Sequence, residues 1–144
     1  MVVFPRTSVA LKMSGFDPVI GSPNIAILYN HGAEFERSQL RDEWDCCEYF
    51  MFNPQILQEI LAVYDPAVQE RPNRPFLFNR TTVNNAIFLQ ERKLAHLAHR
   101  SNLTPSIQID EIALEVLESL VGYSYLERGE RPKGKKATRK AHRQ

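Results

Sequence analysis

Cysteine is nearly absent from this chain: Cys46 and Cys47 are the two it has, and they are adjacent. On a strand adjacent side chains point to opposite faces, so a bond between these two would be strained and a disulfide framework is excluded. Long hydrophobic runs are absent as well. No window comes near ~18 uninterrupted apolar residues, so no transmembrane helix is expected. The opening MVVFPRTSVALKM lacks a charged segment followed by a long apolar core, so it does not read as a secretory signal. A cytoplasmic location and no membrane partner are the expectation. Also missing are a Gly-rich phosphate loop, a nucleophile elbow and a zinc signature. Catalysis, a metal and a cofactor are therefore not expected.

What is present is a division of charge. From Arg128 to Gln144 the chain reads RGERPKGKKATRKAHRQ, eight Lys or Arg against one acid, whereas residues 1–127 hold 10 basic and 16 acidic side chains. The end is thus +7 and the body −6, a contrast that the whole-chain charge of +1 conceals. An acidic body ending in a basic run suggests a module whose end lies near a polyanion, most simply nucleic acid. The run has no interleaved aromatics, so it is no stacking platform for single strands. Lys133, Lys135, Lys136, Arg139, Lys140 and Arg143 would supply nonspecific, salt-sensitive phosphate contacts.

The body divides by hydrophobic period. Residues 1–52 alternate in short runs, Val2–Phe4, Val9–Met13, Val19–Ile20, Ile25–Tyr29 and Glu34–Ser38, separated by Gly, Pro, Asn and Asp turn signals. The longest run, Trp44 to Phe52, ends apolar on both faces, as a central strand would. Asn53-Pro54 then opens a helix with Ile56, Leu57, Ile60, Leu61 and Tyr64 at helical spacing, stopped by Asp65-Pro66. Thr81 or Thr82 is expected to cap a second helix to about Ser101. A third is expected from about Ile107 to Val121, with Gly122 just beyond its end. The short link between the last two predicts an antiparallel pair. Strands first and helices after define an α+β fold: a β-sandwich or partial barrel over 1–52, a helical part over 53–122 and a basic flexible connector over 123–144.

Several residues invite chemistry. His31 and Glu34 could be half of a metal site, but further converging ligands are not nearby, and a turn at Asn30 and Gly32 accounts for them better. His96 and His99 stand three apart on a predicted helix, surrounded by Arg92, Lys93 and Arg100, which oppose a cation. Cys46 and Cys47 lie between Asp45 and Glu48, which would raise rather than lower a thiol pKa. Asp42, Glu43, Asp45 and Glu48 cluster around Trp44 and read as a charged hairpin loop. In the third helix Ile109, Ile112, Val116, Leu117 and Leu120 form an apolar stripe, either packed inward or shared with a second copy.

In their order these features resemble the N-terminal sensor half of AraC-type bacterial transcription regulators. VVFPRTSVALKM and DPVIGSPNIAILYNHGAEFERS resemble the paired strands of that family's cupin-like domain. CEYFMFNPQILQEIL resembles its last strand entering the first helix, and DEIALEVLESLVG with ATRKAHR resembles the approach to its helix-turn-helix segments. The resemblance implies a non-enzymatic regulatory domain that senses a small-molecule effector in the cupin-like part and forms a homodimer through the helices. DNA would be bound by the full-length protein, whose reading domain would begin near Ala137–Arg143. Tyr29, Phe35, Trp44, Tyr49 and Phe50 are candidate effector contacts by residue type alone, and ordinary core packing is the commoner role for such residues. The alternatives are a small cupin-like metalloenzyme centred on His31, or a stand-alone protein that dimerises with a full-length regulator and inhibits it.

Overall fold

The computed structural model describes residues 1–42, 44–100, 102–103 and 105–133. Among them are seven strands and three α-helices, an α+β arrangement with most strands first and the helices after. Strands β1 (Val2–Pro5), β4 (Ile25–Leu28), β6 (Cys47–Phe50) and β7 (Arg80–Thr82) form an antiparallel sheet in the order β6-β1-β4-β7. Strands β2 (Val9–Met13), β3 (Val19–Gly21) and β5 (Phe35–Gln39) form a second antiparallel sheet, β3-β2-β5. No described helix is long and apolar enough to cross a membrane.

The pleat of the four-stranded sheet separates two cores. Successive side chains along a strand alternate faces, so Val2, Phe4, Ala26 and Leu28 face the helices while Val3, Ile27 and Tyr29 face the second sheet. On the helical side they pack with Leu61, Ile87, Leu94, Leu117 and Leu120. On the other side they meet Leu11, Met13 and Val19. A strand from residues 80–82 enters the sheet through Ala26↔Thr81, so β structure is not confined to residues 1–52.

Helix α1 (Pro54–Ala62) starts as its sequence requires. The Asn53 side chain accepts a hydrogen bond from the Gln55 amide at 2.9 Å, and Pro54 occupies the first turn where no donor is lost. A 3-10 turn follows at Pro66–Glu70 and buries Val68. Helix α2 (Asn85–His99) is capped by Asn84, which accepts from the Ile87 amide at 2.8 Å. The expected caps Thr81 and Thr82 lie instead in β7: a β-branched pair suits a strand, and Asn84 supplies the better cap. Helix α3 (Ser106–Glu127) packs beside α2.

Two boundaries differ from expectation for visible reasons. Gly122 does not end α3; a Cβ there would approach the Tyr64 hydroxyl to 3.0 Å, so the glycine makes room for a packed ring. The stop is Gly129, with φ +81°, where Gly129 N–H donates to Leu126 O and Glu130 N–H to Tyr125 O. That pair of bonds closes a helix through a left-handed residue. Residues 123–127 therefore belong to α3 rather than to a connector. The run ending Tyr49-Phe50 is not central either: among the described residues β6 pairs with β1 alone and forms a sheet edge, leaving Tyr49 and Met51 exposed.

Candidate functional site

The small core ends in a polar group. Tyr29 leaves β4, and its ring meets Phe35 edge-on at 4.9 Å between centroids. Arg37, two residues along β5, donates to Asp45 through Nε at 3.1 Å and Nη2 at 2.9 Å. This fork fixes the guanidinium plane as a single bond would not. The Tyr29 hydroxyl is buried, with no partner of hydrogen-bonding geometry among the described residues. Burial pushes its pKa up, and the nearby Arg37 guanidinium pulls in the opposite direction. Burial also works against the Arg37 charge, but Asp45 and Tyr29 outweigh it and hold the guanidinium above its ordinary pKa. Arg37 also borders an open groove of about 520 Å³ on the three-stranded sheet, with Lys12, Pro18, Ile20 and Ser38 among its walls.

A second polar group lies on the helical side of the same sheet. Because Phe4 pairs with Glu48 across β1 and β6, the Glu48 carboxylate shares the helix-facing side of the pleat. There it contacts Arg92 of α2, with Arg6 3.8 Å away. Glu91 stands among Ile87, Leu94 and Ala95 in the buried stripe of α2 and is 2% exposed. Its carboxylate approaches Arg92 at 3.6 Å. One oxygen of each carboxyl, Glu48 Oε2 and Glu91 Oε1, is buried without a donor among the described residues. Burial and the neighbouring Glu48 raise the Glu91 pKa to about 8, while contacts with Glu91, Arg92 and Arg6 outweigh burial and lower that of Glu48.

The sequence-level candidates separate accordingly. His31 and Glu34 are exposed near a turn with Gly32 at φ +72°; Asn30 holds that turn to Phe76, accepting from its amide at 2.8 Å and donating to its carbonyl at 2.9 Å. His96 and His99 are exposed at the end of α2. Among the described residues no three His, Cys, Asp or Glu side chains converge as a metal site. Cys46 is exposed and Cys47 half-buried. Of the acidic group around Trp44, Asp45 reaches Arg37 and Glu48 reaches Arg92, while Asp42 is exposed and Glu43 lies outside the described residues. Tyr29 and Phe35 join the polar end of the small core. Phe50 packs edge-on against Phe4 on the helical side, and Trp44 and Tyr49 are exposed.

Val116, Leu117 and Leu120 are buried in the chain's own core and offer no surface, whereas Ile109 and Ile112 are partly exposed at its margin. Lys133 pairs with Glu130 at 3.0 Å, and Lys135, Lys136, Arg139, Lys140 and Arg143 lie outside the described residues. Sequence reading missed Arg37 and Glu91. A glutamate at the i+4 position of the Ile87–Leu94–Ala95 stripe was the available signal for Glu91; nothing local marked Arg37, whose partner is eight residues away. Comparison with family models, with curated proteins and with solved structures finds no match to this chain.

Proposed function

We infer that this chain is the regulatory, non-enzymatic part of an AraC-type transcription regulator, a β domain that takes a small polar effector, joined to helices that pair two copies. The observation that carries this reading is the polar end of the small core. Among the described residues the buried Tyr29 hydroxyl has no partner, and beside the forked Arg37–Asp45 pair it puts a few fixed polar groups at one end of this core; Arg37 also borders a groove of about 520 Å³ whose walls Lys12, Ile20 and Ser38 lie on the other face of the three-stranded sheet. A ligand bearing a donor for the Tyr29 oxygen, or an acceptor for its proton, would satisfy a group that is costly to leave buried and unmade. The resemblance of the order of elements to the sensor half of that family supports the same reading, as does the basic run after the last helix.

In this reading the pairing surface lies at the margin of α3, where Ile107 is 68% exposed beside the partly exposed Ile109 and Ile112. It excludes the three inward residues of the original stripe. The DNA-reading part of such a regulator stands C-terminal to its sensor half, which places the basic run close to phosphates.

The test is to fuse the full chain to a DNA-binding domain that occupies a two-half-site operator only as a pair. The expected result is operator occupancy, lost on Ile107→Glu plus Ile112→Glu, with sedimentation showing the intact chain as a dimer. A monomer at high concentration together with an empty operator would sink the reading.

A further inference from the structure

We propose that Glu48 and Glu91 share one proton and act as a latch that fastens the edge strand β6 to helix α2, so that loss of that proton releases the β6 edge. The two carboxyls meet at the same Arg92 nitrogen, Nη1, an arrangement that a proton between them completes. Each carboxyl turns one oxygen toward Arg92, and each leaves its other oxygen buried with no donor from the rest of the described residues. Two ionised carboxylates are acceptors only. One proton between Glu48 Oε2 and Glu91 Oε1 satisfies both orphaned atoms at once and leaves a single negative charge facing two arginines.

The charged groups bearing on the Glu91 carboxyl come from three elements: Glu48 from β6, Arg92 from α2 itself, and Arg6 from the turn after β1. Burial and Glu48 favour the proton on Glu91; Arg92 and Arg6 oppose it. The balance holds the proton up to about pH 8. The sign then follows from linkage. Glu91 binds its proton more tightly with the latch closed than when exposed, where an ordinary carboxyl titrates near ~4.3, so closure is most favoured in acid and weakens as pH rises through this window. Above about pH 8 both states are ionised and the effect levels off. The opposite shift of Glu48 acts only at lower pH, where its own carboxylate protonates.

What opens is local. β6 is four residues long and, among the described residues, pairs with β1 on one side only, so it can part from the sheet without unfolding the large core. Asp45, the partner of Arg37, lies two residues before β6. Release of β6 therefore reaches the polar end of the small core on the other side of the sheet. This inference stands on the latch geometry alone and holds whether or not the chain belongs to a transcription regulator.

Two measurements test it. In the wild-type chain, carbon NMR of the Glu91 carboxyl is expected to titrate near pH 8; a midpoint in the ordinary glutamate range overturns the proposal without need of any variant. Hydrogen exchange, corrected for intrinsic rates, should show β6 protection falling relative to β4 by at least about tenfold between pH 6 and pH 8, then levelling. Glu91→Gln keeps a donor for Glu48 and removes the titration, so its β6 protection should be flat over that range. A Gln variant that keeps the wild-type slope, or a wild-type β6 that tracks β4 throughout, overturns the latch.

Discussion

The two cores of this protein share a sheet and differ in what bounds them. On the helical side, Val2, Phe4 and Leu28 are covered by three helices, and aliphatic side chains such as Leu61, Leu94 and Leu117 are at most 1% exposed. On the other side, Val3 and Ile27 are covered by Leu11, Met13 and Val19 of the three-stranded sheet, and the layer runs out into Tyr29, Arg37 and Asp45. The larger core, covered by three helices, holds the fold through burial and close packing. The smaller core is a thinner layer that opens at one end onto the Tyr29, Arg37 and Asp45 group. The difference teaches that one face of the sheet is held by deep packing and the other by a thin layer with a polar end.

The largest expected effect tests that division directly. Leu117→Ala and Leu11→Ala remove equally buried side chains, each 1% exposed. The closed core can relax little around its cavity, so Leu117→Ala should cost about 3–5 kcal/mol in urea unfolding. The thin sandwich has an open end toward which it can collapse, and Leu11→Ala should cost about 2–3 kcal/mol. Equal losses would erase the distinction.

A smaller effect is expected where the helical layer is bolted to the sheet. The Arg128 guanidinium lies 3.7 Å from the Phe78 ring centroid, donates through Nη2 to Arg80 O at 2.7 Å, and through Nη1 to Ser124 O at 3.0 Å. Arg80 in turn donates to the carbonyls of Asp17 and Pro18 in the β2–β3 turn. One chain of contacts thus runs from the end of α3 to the three-stranded sheet. Arg128→Ala should cost roughly 1–2 kcal/mol. Arg128→Lys should fail to restore it, because an ammonium offers neither the flat face nor the fork. Full restoration by lysine would reduce the contact to charge alone.

Much of the architecture was legible because it is written in local periods. Alternation marked β1 to β5 to within a residue or so at most ends, and Asn53-Pro54 announced α1. What escaped reading was long-range. Thr81-Thr82 looks like a cap until Ala26 is found opposite Thr81. Gly122 looks like a helix end until Tyr64 is seen lying over it. The stripe Val116–Leu117–Leu120 carries the same signal whether it faces its own core or a partner. The candidate sites were less legible still, since Glu48 and Glu91 are 43 residues apart in sequence and only the β1–β6 register turns one toward the other.

The smallest effect concerns the caps, and it separates helices that serve the large core from the strands that line the small one. Asn84 accepts from the Ile87 amide at 2.8 Å in a part-buried setting, so its loss leaves a donor poorly supplied with water. Asn53 accepts from Gln55 at 2.9 Å where water can replace it, and Pro54 already holds the first turn in helical geometry. Asn84→Ala should therefore cost about 1 kcal/mol, and Asn53→Ala about half that. Because Asn84 starts the helix that carries Glu91, its loss should also speed exchange in β6 while leaving β2 and β3 unchanged. Equal acceleration in all three strands would mean that the two cores open together, and the sheet they share would then transmit strain rather than divide it.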